Sequence, residues 1–283
     1  MRKVILSADS TCDLDDRLKK KYNVYSCPLH VILGKEDYLD GVNITPDNIY
    51  DIYEKHHILP KTAAPNPLEY ISFFKKWTDE GYDVIHLNIS SELSSSYQNC
   101  CTAAEHLKNV YPINSNNLST GIGLLVIEAA ERIAEGMPAN QIYEEINRLK
   151  LKCHASFVVD SLRYLYEGGR CSALKAMGAN ILNIKPCIEV DNSRGIMNVG
   201  KKYRGTLNKV LRSYTVDKLK CQNGLKLDRI FITHSGISPE IIKMVKTTVE
   251  DLAGFKEILI TRAGCTISSH CGPNTLGILF MTK

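Results

Sequence analysis

Short apolar runs alternating with helical segments constrain this chain more than any other feature. KVILSAD (3–9), DVIHLNI (83–89) and VYPINSN (110–116) each read as a strand, and each is followed by a turn and a helical pattern. Parallel strands need long crossovers, so this order predicts a largely parallel sheet with helices on both faces. VYSCPLHVIL (24–33) reads as one extended segment. Thr45-Pro46-Asp47 predicts a capped helix with proline at its first position, and KTAAPNPLEY (61–70) reads as a polar linker before a helix through Trp77.

A second unit is expected from residue 152. HASFVVD (154–160) predicts a strand, SALKAMGANILN (172–183) a helix, and 185–202 a hairpin turning at Asp191 to Gly195. LDRIFITHS, a helix over 239–252, KEILITRA and TLGILFMTK complete a mixed sheet. The expectation is two α/β domains, 1–151 and 152–283, the first sheet largely parallel and the second mixed.

Charge argues against nucleic acid as a partner: 35 basic residues against 31 acidic ones leave +4. The cluster Arg17, Lys19, Lys20 and Lys21 reads as a solvated helix face. The ten cysteines contain no C-x-x-C pair, which predicts reduced, mostly buried thiols and no structural zinc. MRKVILSADS lacks the apolar core of a signal peptide, so a cytoplasmic location is expected. No run of residues has the length and apolarity of a membrane span.

Chemistry concentrates in three loops. ISSELSSSYQN (89–99) sets serines between a strand and a helix, where free backbone N–H groups and the helix dipole favour an anion. Ser94 suits an N-cap, so its hydroxyl serves either a ligand or the backbone. The G-x-S-x-G elbow and the phosphate-binding Gly-x4-Gly-Lys-Ser/Thr loop are both absent, and no spacing joins His234 or His270 to a serine as a triad. GGRCS (168–172) presents Arg170 after two glycines, either toward an anion or partner or as a surface arginine. SSHCGPN (268–274) places His270 in a predicted turn, at a site or serving local backbone groups.

These segments together resemble the DegV family of bacterial fatty-acid-binding proteins over essentially the whole chain. The resemblance is carried by Ser10 to Leu14, Lys61-Thr62 with Pro65, Ser90 to Ser94 with Tyr97-Gln98, Asp160 to Leu162 through Gly168-Gly169-Arg170, Lys185-Pro186, and His270-Cys271-Gly272-Pro273. It implies a long-chain fatty acid held in a crevice between the two domains. Thr62 and Ser94 match the family's hydroxyls that bind the carboxylate, and His270 matches a histidine beside it. No metal or other cofactor is implied.

The family resemblance further implies a lipid-binding carrier, not an enzyme, that presents the acid to a separate fatty acid kinase for acyl-phosphate formation, with transient membrane contact. Arg170 matches an arginine near the entrance, suited to kinase docking or to stabilising acyl-phosphate charge. The alternative is a serine hydrolase acting on lipid esters. Thr62-Ala63-Ala64-Pro65 stands where the family usually has Thr-Ser-Gln-Pro, Ser94-Ser95-Ser96-Tyr97 where it has Ser-Gly-Thr-Tyr, and Asn274 where Gly is frequent.

Overall fold

The structure is a computed structural model that describes residues 2–172 and 184–283. The helix expected over 172–183 falls, beyond Ser172, outside the described residues. The N-terminal sheet contains β1 (Val4–Asp9), β2 (Val24–Cys27), β6 (Asp83–Asn88) and β7 (Val110–Asn114) in the order β2-β1-β6-β7. Every pairing in it is parallel. Alternation along β6 fits burial on both faces: Ile85 and Leu87 join the central core, while Val84 faces the outer helices. Those helices are α3 (Pro67–Thr78), through Tyr70, Phe74 and Trp77, and α4 (Ser96–Glu105), through Cys100 and Ala103.

The run 24–33 is not one strand. Pro28-Leu29 separates β2 from β3 (His30–Leu33), which belongs to a different sheet. There β4 (Glu36–Leu39) and β5 (Lys61–Ala63) flank β3 in antiparallel pairs. The segment 61–63 is therefore a strand instead of a free linker, and Val31 pairs with Thr62. Between β4 and β5, α2 (Pro46–His56) starts in a capping box formed by Thr45 and Asn48.

The C-terminal sheet has six strands: β8 (Cys153–Val158), β9 (Ile184–Asp191), β10 (Ile196–Arg204), β11 (Leu225–His234), β12 (Glu257–Arg262) and β13 (Leu276–Thr282). Their order is β10-β9-β8-β13-β11-β12, parallel only between β11 and β12. Ile230, Ile232, Ile278 and Phe280 pack under two helices, Leu207–Lys220 and Pro239–Leu252. Phe157, Phe231 and Leu279 on the opposite face join the core of the N-terminal sheet.

The shared layer is α5 (Thr120–Ala134), whose residues Thr120 to Ala130 are all buried. Its apolar surface has no solvent side because both sheets cover it. Glu128 on α5, 1% exposed, receives Arg132, Lys226 and Arg229, and Arg229 also pairs with Glu131. Ser90 Oγ donates to Gly195 O at 2.8 Å, tying the serine loop to the turn between β9 and β10. The halves are thus joined by a common core and by polar ties at its margin. After α5 come α6 (Ala139–Leu149) and the short α7 (Arg163–Glu167). Among the described residues, α8 (Leu207–Lys220), α9 (Pro239–Leu252) and α10 (Cys265–Cys271) follow, and α1 (Asp16–Tyr22) lies between β1 and β2.

Candidate functional site

Helix α10 corrects the expected turn around His270: the histidine sits in its last turn, before the positive-φ Gly272. The sequence CTISSHC has little intrinsic helix preference, and distant carboxylates supply what it lacks. Gly264 N donates to Asp13 at 2.8 Å, and the Cys265 and Thr266 amides donate to Asp40 at 2.7 and 3.1 Å. Burial pushes the Asp13 carboxyl up to about 8, with neighbouring Asp40 acting in the same direction. The Ser10-to-Leu14 motif therefore anchors the helix that carries His270.

His270 Nε2 lies 2.8 Å from Thr62 Oγ1. Burial, reinforced by the nearby Arg170 charge, lowers the imidazole to about 4, so the ring is neutral at neutral pH. Nδ1 is buried without a hydrogen-bond partner among the described residues. It lies against Gly168, where a Cβ would approach to 2.3 Å. The glycine admits the ring.

The serine loop divides its hydroxyls among different tasks. Ser91 Oγ accepts from Asn114 Nδ2 at 2.7 Å, and Ser94 Oγ accepts from Ser96 N at 3.2 Å. The N-cap of α4 is Ser95 instead of Ser94, a shift of one residue from expectation, and Ser95 makes no side-chain cap bond. Ser94 serves the first helical amide while its own hydroxyl hydrogen is left to donate elsewhere.

Thr62, Ser94, Arg170 and His270, separated along the chain, line one cavity of about 350 Å³ between the two sheets. Leu29, Ile89, Leu93, Leu118, Phe157 and Ile267 supply apolar walls. Arg170 is exposed, and its Nη1 donates to Gly168 O at 2.6 Å. Thr266 also lines the cavity; it is 4% exposed, and its hydroxyl has no partner among the described residues. It stands four residues before His270 on α10, a spacing that would have signalled a shared face had 265–271 been read as helical.

A Ser-His-Asp chain does exist, away from this cavity. Ser7 Oγ lies 2.9 Å from His86 Nδ1, and His86 Nε2 lies 3.1 Å from Asp9 Oδ1. All three residues are fully buried, and Tyr70, Asn88 and the Ile89 amide also donate to Asp9. This is a sealed polar network in the sheet. No group of three or more metal-ligating side chains occurs among the described residues, and no described helix is long and apolar enough to cross a membrane.

A model of the DegV family, described as uncharacterised proteins, matches residues 3–283. The chain belongs to the DegV family. A DegV domain-containing protein of Clostridium perfringens is 31% identical, with 100% of each chain covered. Among solved structures, a DegV family protein of Thermus thermophilus described by its fatty acid binding superposes with a TM-score of 0.90 at 28% identity, over 100% of both chains. A stearic-acid-binding protein of Eubacterium ventriosum has a TM-score of 0.82 at 25% identity, covering 100% of this chain and 99% of the other. In this DegV chain the serine loop and α10 both line one cavity.

Proposed function

We propose that this protein binds a long-chain fatty acid non-covalently between its two units, taken as 1–151 and 152–283. The observation that carries the reading is one cavity whose wall combines apolar side chains with Thr62, Ser94 and His270, of which Thr62 and His270 are 2.8 Å apart. Burying methylenes contributes roughly 0.8 kcal/mol each, while a carboxylate enters an apolar cavity only where donors receive it. The related structures described as fatty-acid-binding and stearic-acid-binding support the same ligand class.

Carboxylate binding selects a tautomer of His270. With the proton on Nε2, the ring donates to Thr62 Oγ1 and leaves the Thr62 hydrogen free for the ligand. The opposite tautomer would consume that hydrogen. Ser94, whose Oγ accepts from Ser96 N, keeps its hydroxyl hydrogen for the ligand, and the Thr266 hydroxyl, without a partner among the described residues, adds a second donor from α10.

In this reading the protein is a carrier subunit and not the catalyst. A separate fatty acid kinase would join the terminal phosphoryl group of ATP to a carboxylate oxygen as the phosphoanhydride bond breaks and ADP leaves. Exposed Arg170 on the cavity wall suits docking of that partner or stabilisation of the acyl-phosphate charge. Loading by transient contact with a membrane belongs to the same proposal. A serine hydrolase is less favoured because His270 directs one ring nitrogen to Thr62 and the other against Gly168.

The deciding experiment is native mass spectrometry of the purified chain, followed by denaturation and lipid identification. One bound fatty acid per chain is expected, with Thr62→Ala and Ser94→Ala each weakening binding by about 1 to 3 kcal/mol. An empty chain that also refuses added acids overturns the proposal. Labelling of Ser94 by a fluorophosphonate would instead favour the hydrolase. For the carrier role, no acyl phosphate from the loaded chain with a fatty acid kinase and ATP would remove the kinase step.

A further inference from the structure

We propose that Phe157 sets the longest acyl chain the protein accepts, standing between the main cavity and a terminal chamber; this rests on the fatty-acid reading above. The chamber has a volume of about 30 Å³. Leu118, Phe157, Ile267 and Cys271 line both spaces and form the partition between them. Phe157 is the bulkiest of the four and is 5% exposed.

Across the sheet, Phe157 on β8 pairs with Gly277 on β13, which lines the chamber. A Cβ at Gly277 would stand 2.9 Å from Ser156 O and 3.1 Å from Phe157 Cβ. Glycine here lets β13 lie close against β8 beside Phe157, where a larger residue would crowd the strand. At about 30 Å³ the chamber has room for about one or two water-sized groups, so it suits only the end of a chain.

Its polar composition is misleading. Ser119 donates to Asp13, Ser156 bonds to Tyr214, Thr233 bonds to Thr120 and Thr261, Ser235 donates to Gly272 O, and Thr275 donates to Cys271 O. With these hydroxyls committed to protein partners, the space favours a methyl terminus over a second polar group. Helix α10 gives the ligand its direction. Thr266 and His270 form one ridge and Ile267 and Cys271 the next, and only the second ridge reaches the chamber.

The test offers the full chain an equimolar series of straight saturated fatty acids of increasing even length and reads the bound distribution by native mass spectrometry. Phe157→Ala should move the preferred acid to a longer chain, with each accommodated methylene favoured about fourfold. Leu118→Phe should move it to a shorter one. Phe157→Leu, with a smaller loss of volume, carries the test where the alanine variant does not fold. An unchanged distribution in a fully occupied, folded Phe157 variant overturns the inference while leaving the fatty-acid reading intact. A wild-type chain that binds none of the series overturns that reading and the inference with it.

Discussion

Thr62 Oγ1 and His270 Nε2 are 2.8 Å apart although 208 positions separate them in the chain. Strand β5 brings one and helix α10 the other, and the packing of those elements assembles the proposed head-group end. His270 is held on one side by Gly168, which does not itself line the cavity.

Gly168→Ala therefore tests the placement of His270 without removing a polar group. Gly168 has helical φ, so alanine is acceptable to the backbone, but its Cβ would approach Nδ1 to 2.3 Å. The ring must move. Fatty-acid affinity should fall about tenfold, in line with the loss of one hydrogen bond, while the thermal midpoint changes little. Titration calorimetry and a melting curve check both outcomes; unchanged affinity would separate the ring position from binding.

Thr266→Val removes the unpaired hydroxyl while keeping the branched shape. The ligand-free chain should become more stable by about 1 kcal/mol, because a buried polar group without a partner is deleted. Acid affinity should fall about fivefold or more if that hydroxyl receives the head group. Denaturant unfolding with and without added fatty acid measures the two effects. A stability gain with no affinity change would confine Thr266 to the wall.

Asp13 makes stability depend on pH. Its carboxyl rises from 3.8 to about 8 in the folded chain, so the folded state holds a proton that the unfolded state releases over that interval. Its contribution is fully present below about 3.8 and is lost as pH rises through about 8. Asp13→Asn imitates the protonated form, accepting from Gly264 N and donating toward Ser119, and suits the positive φ of 51° at this position. The variant should gain a few kcal/mol over wild type at pH 8 and progressively less toward pH 4. His270 has the opposite sign: lowered from 6.5 to about 4, it contributes stability above 6.5 that is lost as pH falls through 4. Unfolding series across pH distinguish the two slopes.

Glu128→Ala should cost about 3 to 5 kcal/mol, because Arg229 and Lys226 lose their shared buried carboxylate. Glu128 bonds to Arg132, Lys226 and Arg229 and does not line the cavity that holds Thr62, Ser94 and His270, so affinity per folded chain should persist. Chemical unfolding and titration of the folded fraction check the pair of outcomes. A loss below about 1 kcal/mol would place this cluster in the solvent-screened class.

Much of the fold was legible because its signals are local. The apolar alternation of β1, β6 and β7 announces the parallel sheet, and the turn 191–195 announces the hairpin of β9 and β10. Helix α10 was hidden because its polar, serine-rich sequence depends on Asp13 and Asp40 for its amide partners. Strand β5 was hidden because three residues carry almost no pattern and gain their geometry by pairing with β3.

By itself, the sequence determined the chemistry available: hydroxyls at Thr62 and Ser94, the imidazole of His270, the charge of Arg170, and apolar runs long enough for two sheets. Tertiary structure decided which groups share a cavity, which hydroxyls are already spent on protein partners, and that Thr266 and Phe157 belong to its walls. The physical reason is range. Strand and helix patterns arise from neighbours in the chain, whereas a binding cavity is enclosed by side chains that only the packing of distant elements brings within hydrogen-bond or van der Waals reach.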